Sequence, residues 1–309
     1  MTVAEPFDRL VQRIAPGATP LRSWTLEGGV SAYVDALEFI RPNGTQDRVV
    51  VRRPQVHPWT SPAYLDRASM EFNLLKALRK AHIAVPEPHL LDTSGELLSA
   101  PYFVMGYVEG TTVVLPEALP DALKQMAHTL AQIHALDVTK MALPQLPYRN
   151  DPVTETLTYL PQTTAYQKLR AVLSNHHPWP SQQHRRASLL HGDFWPGNLL
   201  WNAGELIAVI DWEDAALGDP LSDLACCRVE LLWRHGPAVV DAFTTHYRTQ
   251  TQRDLTILPF WDVYVAAAAM ATMGQWGLAP DVEAHMRCQA TLFIERASAQ
   301  VLSMGSPEG

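Results

Sequence analysis

The sequence predicts an α+β protein in which a small β-rich lobe with one helix precedes a larger, mainly helical lobe. Three observations predict it. Apolar, β-branched runs crowd the first third of the chain, at residues 30–40, 49–51 and 102–108. From residue 116 onward, apolar residues recur mostly at helical spacing. Strand signals return only between about 189 and 210, where short apolar runs flank two polar clusters, HGDFWPGN at 191–198 and the Asp211 that ends ELIAVID. The change of character at 105–110 divides the chain into residues 1–106 and 107–309. No internal repeat is visible.

Taken in order, residues 30–40 read as a strand and RPNGTQDR as the turn of a hairpin. Asn43-Gly44 is its type I′ signal, and Val49-Val50-Val51 is the returning strand. Ser61-Pro62 opens a helix running to about Ala81, with Met70, Leu74, Leu75 and Leu78 on one face; Pro86 and Pro88 end it. Residues 102–108 form another strand, interrupted at Gly106 and closed by Gly110. Helices are expected at 116–136 and 148–175, with a loop at 143–147 between them. Beyond Asp219 the pattern is helical at 221–233, 238–249, 260–276 and 281–302, and the tail 305–309 is expected to fray.

Composition narrows the functional classes. The chain has 309 residues, 47% hydrophobic and 18% charged, an ordinary globular balance with enough length for a large core. Asp plus Glu outnumber Lys plus Arg, 32 to 24, so no basic excess exists to neutralise a nucleic-acid backbone. Cys226, Cys227 and Cys288 make neither a disulfide framework nor a zinc set, and are expected as reduced core or near-core residues. The N-terminus has early acids and no apolar core of a secretory signal. The most apolar stretch, 263–273, falls short of the ~20 residues that span a bilayer. The expectation is a cytoplasmic protein without membrane or nucleic-acid partners, its oligomeric state unreadable.

Asp193, Asn198 and Asp211 carry the chemistry. Two carboxylates and an amide oxygen are hard ligands or proton acceptors, suited to Mg²⁺ more than to zinc. An antiparallel return would bring the loop after Gly192 and the end of the strand before Asp211 to one sheet edge. Phosphoryl transfer needs that division of labour: one Asp takes the hydroxyl proton, while an Asn and a second Asp hold Mg²⁺ on the phosphates.

HGDFWPGN followed by VIDWEDAALGDPLSDLA resembles the aminoglycoside phosphotransferase and choline kinase-like family, whose fold is similar to that of protein kinases. The resemblance implies a bilobal kinase-like fold with Asp193 as catalytic base and Asn198 and Asp211 on Mg²⁺. Asp219 and Asp223 resemble the family's acidic pair opening a helix, read here as structural, with Asp219 capping and Pro220 in the first position. In the N-terminal lobe, Arg52 stands where the family commonly carries Lys, and Glu71 on the next helix is its expected ion-pair partner. Strand alternation leaves open whether Arg52 or Arg53 points inward; Arg52 is the reading taken. Gly28-Gly29 is expected to cover the phosphates, although a full G-x-G-x-x-G is missing. The segment 105–109, with Met105 and Tyr107, is expected to present backbone groups to the base of ATP or GTP.

His191 and His134 read as packed scaffold. Trp195 and Trp212 either wall the acceptor site or pack the loop; residues 230–233, Trp261 and Gln275-Trp276 are further candidate contacts. The Glu213-Asp214 pair would suit a cationic acceptor. Only WEDAAL separates Asp211 from Gly218, too short for an activation segment, and Gly192 replaces the Arg of H-R-D. Both features favour a small-molecule hydroxyl over a protein. Three readings compete: an active nucleoside-triphosphate-dependent small-molecule kinase; a catalytically silent nucleotide-binding relative acting as a regulatory or interaction module; and a metal-dependent hydrolase on His191, Asp193 and Asp211, which lacks further His ligands. Aminoglycosides, macrolides, choline-like alcohols and sugars all remain acceptor candidates.

Overall fold

The computed structural model describes residues 5–26, 32–55, 67–149, 152–175 and 187–304. Gly28, Gly29, Ser61-Pro62 and the tail 305–309 lie outside them. Contacts divide the chain into two compact units. The first comprises Met1–Thr111, Met141–Gln145 and Ile207–Glu213; the second comprises Thr112–Lys140, Leu146–Leu206 and Asp214–Gly309. This differs from a cut after residue 106. The segment carrying Asp211, remote in sequence, packs with the first unit.

In the first unit, α1 (Glu5–Ile14) precedes β1 (Thr19–Thr25), β2 (Ala32–Ile40) and β3 (Gln46–Pro54). Then come α2 (Arg67–Lys80), β4 (Pro88–Asp92) and β5 (Tyr102–Gly106). The strands form one antiparallel sheet in the order β1-β2-β3-β5-β4. Leu10 and Val11 of α1 join Leu37, Phe39, Val49, Val51, Tyr102 and Val104 in a buried cluster. Each such side chain contributes roughly 1.5–3 kcal/mol on full burial. Because strand side chains alternate, Val50, Arg52 and Phe103 take the other face, where Phe72 of α2 meets Phe103 edge-on. Arg52 therefore looks toward α2, and Arg53 does not.

Two local expectations are corrected here. The β2–β3 turn is not type I′: Gly44 has φ +82°, but Asn43 keeps a negative φ. The Gly44 N–H bonds to the Arg41 carbonyl and the Arg41 N–H to the Thr45 carbonyl, each at 2.8 Å, giving a three-residue loop with Gly44 in the left-handed position. Pro42 explains the choice: without an N–H it cannot complete the pair flanking a two-residue Asn43-Gly44 turn, while its fixed negative φ suits the first corner of the longer loop. Helix α2 also ends without help from Pro86 or Pro88. His82 turns left-handed (φ 61°), while the N–H groups of His82 and Ile83 reach back to Arg79 and Leu78, a Schellman cap.

The second unit holds α3 (Leu119–Ala135), β6 (Tyr148–Arg149), α4 (Pro152–Tyr159), α5 (Gln167–Asn175), β7 (Ser188–Leu190) and β8 (Leu199–Asn202). Strand β9 (Glu205–Val209) leads from it into the first unit. Back in the second unit, β10 (Ala216–Gly218) is followed by α6 (Leu221–His235), α7 (Pro237–Thr251), α8 (Leu258–Thr272) and α9 (Pro280–Met304). The single helix expected over 148–175 is broken, since Pro161 lacks an N–H and disfavours helix in the residue before it. A type I′ turn does occur, at Ala203-Gly204 (φ 49° and 84°) after β8. Gly236 alone (φ 83°) separates α6 from α7, with Pro237 opening the second helix. Strands β6, β10 and β7 form a small sheet in that order. All three cysteines are free, Cys227 being buried and Cys288, against expectation, exposed. Among the described residues no helix is long and apolar enough to cross a membrane.

Candidate active site

In the first unit, Arg52 is buried and shared by three carboxylates. Its Nε donates to Glu71 Oε2 at 2.9 Å, and its Nη2 donates to Asp211 Oδ1 at 2.7 Å and Glu213 Oε2 at 2.9 Å. Burial alone would lower the guanidinium pKa; Glu71, Asp211 and Glu213 together raise it instead. Burial pushes Glu71 up to about 7 against the pull of Arg52, and the other two carboxylates add to the rise. Arg67 lies 3.8 Å from Glu213. Three carboxyl groups thus face two guanidiniums, and Asp211, the most exposed of the three, is the hard oxygen donor nearest solvent. Asp211 itself sits at φ 63°, a left-handed conformation that Asp tolerates better than most residues. Arg53 pairs with Asp35 at 2.6 Å and lies over the Tyr33 ring, away from this cluster.

Glu213 was not foreseen as a partner of Arg52. Its place two residues after Asp211, in the same short loop, was the available signal. The expected cationic-acceptor role for Glu213 does not fit a carboxylate already held by Arg52. Trp212 is core: it is fully buried and donates its Nε1–H to the Val209 carbonyl at 3.1 Å. The Tyr107 N–H donates to the Arg48 carbonyl at 3.2 Å and its ring packs on the Arg48 guanidinium, so that N–H is not open to a nucleotide base. Met105, in β5, pairs with Val50 and Pro88.

In the second unit, β7 delivers the HGDFWPGN loop and Asp223 anchors it. The His191 and Gly192 N–H groups donate to Asp223 Oδ2 and Oδ1 at 2.7 and 2.9 Å. Burial would raise the Asp223 pKa, but bonds from His134 and the Gly192 backbone, with the nearby imidazoles, hold it below the usual range. His134 stands 3.2 Å from Asp223 through Nε2 and 2.8 Å from the Tyr247 hydroxyl through Nδ1. Burial lowers its pKa against the pull of Asp223; with the Nε2 proton directed at the carboxylate, a neutral ring leaves Nδ1 to accept from the Tyr247 hydroxyl. Gly192 has φ +89°, and a Cβ there would lie 1.9 Å from the Asp214 carbonyl oxygen. Only glycine fits. Arg149 Nη1 donates to the Gly192 carbonyl at 3.2 Å.

Asp193 and Asn198 are brought together by this loop. Asp193 Oδ2 accepts Trp195 Nε1–H at 3.1 Å and Asn198 Nδ2–H at 3.0 Å, and the same Nδ2 donates to the Asp193 carbonyl at 2.9 Å. With its nitrogen spent on Asp193, Asn198 keeps its amide oxygen, the donor type a hard cation takes. His191 is buried scaffold, its Nδ1 accepting the Asp193 N–H at 3.2 Å. Asp219 Oδ1 accepts the Leu221 N–H at 3.0 Å and so caps α6, with Pro220 at the cap and not inside the helix. Trp261 is buried, and Trp233 meets Trp276 edge-on while donating to the Met286 carbonyl.

Glu230 on α6 gives a testable pH effect. Burial lifts it from 4.5 to about 7, Arg234 opposing and Asp193 adding to the rise. The folded state therefore holds a proton that the unfolded chain releases earlier, and stability is lost as pH rises from about 4.5 to about 7. Glu230→Gln should raise the Tm at pH 8 by roughly a few degrees and leave it unchanged at pH 5. Equal shifts in calorimetry at both pH values would show that no such proton is held.

Among the described residues no group of three or more His, Cys, Asp and Glu is placed to hold a metal. A Mg²⁺ site of few protein ligands, completed by water and phosphate oxygens, needs no such cage.

Comparison with known proteins agrees on the fold. The macrolide 2'-phosphotransferase MphH from Brachybacterium faecium superposes with TM-score 0.62 at 21% identity, covering 99% of both chains. The GDP and kanamycin complex of APH(2")-IIia superposes with TM-score 0.62 at 19% identity, covering 95% of this chain and 98% of that one. Both likenesses establish a shared α+β, kinase-like fold. In sequence, the chain is 28% identical over 213 residues to acyl-CoA dehydrogenase family member 11 of Rattus norvegicus, 63% of this chain and 27% of the relative. The chain spans about a quarter of the length of that curated relative. Residues 30–258, which include both polar motifs and the Arg52 strand, match the phosphotransferase enzyme family, and the chain belongs to that family of aminoglycoside phosphotransferase and choline kinase-like proteins.

Proposed function

We propose that this chain moves the γ-phosphoryl group of ATP or GTP to a hydroxyl of a small molecule. Asp193 takes the hydroxyl proton, Asn198 and Asp211 hold Mg²⁺, and Arg52, oriented by Glu71, neutralises phosphate oxygens. The observation that carries the reading is the Asp193 carboxylate, gripped by two N–H donors on a loop tied down by a buried, ionised Asp223. A base held in place before the substrate arrives incurs no reorganisation cost during transfer. Bound Mg²⁺ supplies neutralisation of charge on the phosphate oxygens. Arg52 adds a cation whose protonation survives burial. A hydrolase built on His191 is disfavoured, because that imidazole is buried and its Nδ1 is engaged by backbone.

The acceptor class has a second reading with its own support. The match to a protein named for acyl-CoA dehydrogenase exceeds, in identity, the 19–21% shared with the antibiotic kinases. A hydroxyl on an acyl thioester therefore stands beside aminoglycosides, macrolides, choline-like alcohols and sugars. Mass-spectrometric detection of phosphorylated product, across a panel of all five with ATP and GTP, tests both readings. Nucleotide binding with no transfer to any of them would favour the silent, regulatory reading.

Asp211→Asn is expected to abolish the Mg²⁺ dependence of nucleotide affinity, since a neutral amide replaces a charged oxygen ligand. Titrating Mg²⁺ against a fluorescent nucleotide checks it. Unchanged dependence would leave Asp211 as scaffold.

A further inference from the structure

We propose that Trp195 is a positioning residue for Asp193, its indole N–H fixing the carboxylate while Gly197 and Arg234 hold the ring. The proposal rests on the reading of Asp193 as the base. Its geometry is independent of that reading.

The indole is fixed from several sides. Its Nε1 donates to Asp193 Oδ2 at 3.1 Å. The ring lies so close over Gly197 that a Cβ there would come within 2.0 Å of Cη2 and 2.5 Å of Cζ2. The Arg234 guanidinium, one helical turn beyond Glu230 on α6, stands 4.5 Å from the ring centroid. A cation over the face is attracted to the ring quadrupole, and it draws electron density so that the N–H donates more strongly. The α6 face nearest Asp193 also carries Cys226, whose Sγ is 3.8 Å from Oδ1. Burial, with Asp193 and Glu230 adding to it, pushes that thiol well up, so it stays protonated and does not repel the carboxylate.

The residue type is informative. A phenylalanine would fill the space between Gly197 and Arg234 nearly as well and would lack only the N–H. An indole nitrogen donates and never accepts, so it orients the carboxylate without competing for the hydroxyl proton. Asn198 supplies a second donor to the same oxygen at 3.0 Å, and two donors on Oδ2 oppose rotation of the carboxylate. Gly197 follows from this arrangement, since any side chain there would push the indole away from Asp193.

Trp195→Phe should lower kcat for phosphate transfer about ten- to a hundredfold, the effect of losing one hydrogen bond to a charged group. KM for nucleotide and for acceptor should each stay within about threefold, a split that general loosening of the fold would not give. Arg234→Met should show a smaller kcat loss of the same kind, and Arg234→Lys should recover part of it. Wild-type kcat in Trp195→Phe overturns the proposal. So does a KM rise matching the kcat loss. A second measurement needs no turnover: the Trp195 indole N–H resonance, identified by its disappearance in Trp195→Phe, should move in Asp193→Ala. A resonance that stays in place overturns the proposal whatever the kinetics. If Asp193→Ala retains full turnover while the resonance moves, the hydrogen bond stands and the base assignment fails, so the two failures are told apart.

Discussion

Asp193→Asn is expected to lower phosphate-transfer turnover by about 10²- to 10⁴-fold, the range that a positioned general base contributes. The side chain keeps its size, and its amide oxygen can still accept from Trp195 and Asn198, so the loop should hold its shape. What disappears is the capacity to take a proton. Because Asp193 does not hold the nucleotide in the proposed scheme, nucleotide affinity should stay within about tenfold, leaving the loss in kcat. Steady-state kinetics, with nucleotide affinity measured separately by calorimetry, decides the matter. Equal turnover in mutant and wild type would remove Asp193 from the mechanism. An equal loss of nucleotide affinity would make it a scaffold residue.

The second large effect is expected at Arg52. Its removal leaves Glu71, Asp211 and Glu213 facing one another, with Arg67 the remaining cation beside them among the described residues. Breaking a buried ion pair from one side costs about 3–5 kcal/mol, so Arg52→Ala should lower the Tm markedly, raise the nucleotide KM and reduce kcat. Burial has already lifted Glu71 to about 7, and without Arg52 it should take up its proton and so limit the damage. Glu71→Ala should act in the same direction more weakly, because the guanidinium stays but loses its orientation. The Arg52/Glu71 double variant should fall short of the sum of the two, since both act through one pair. Arg52→Lys should retain part of the activity, keeping the charge while losing the planar fork that reaches three carboxylates. Arg53→Ala removes a partly exposed pair with Asp35, worth ~0–1 kcal/mol, and should change little. Kinetics and thermal melts on this set check it. A sensitive Arg53 beside an insensitive Arg52 would overturn the assignment of Arg52 to the phosphates.

Much of this protein was legible in its sequence, for reasons that are local. Alternation along VVVRRP sets Val50 and Arg52 against Val49, Val51 and Arg53, so one register choice decides which arginine meets Glu71. Leu74, Leu75 and Leu78 mark the buried face of α2, and the apolar runs around HGDFWPGN mark a loop presented by strands. These are periods of two and of 3.6, and residues within a few positions of one another suffice to show them. The first helix was equally legible, in the spacing of Phe7, Leu10, Val11 and Ile14. Proline outranked the Asn-Gly signal at Pro42 and ended a helix near Pro161, both consequences of its ring and missing N–H.

What only the tertiary structure decided are the partners across long separations. Asp223 holds the backbone of His191 and Gly192, some thirty residues away, and its own charge is kept by His134, 89 positions away. Asp211 and Glu213 close on Arg52 across about 160 residues, which turned an expected two-member ion pair into a cluster of one guanidinium and three carboxylates. Trp195 showed in the sequence only as an aromatic beside the motif; its bond to Asp193 and its place over Gly197 needed coordinates. Periodicity states which face a side chain takes. Which group it meets there depends on how distant elements pack, and burial then makes each such pairing, or its absence, costly enough to matter.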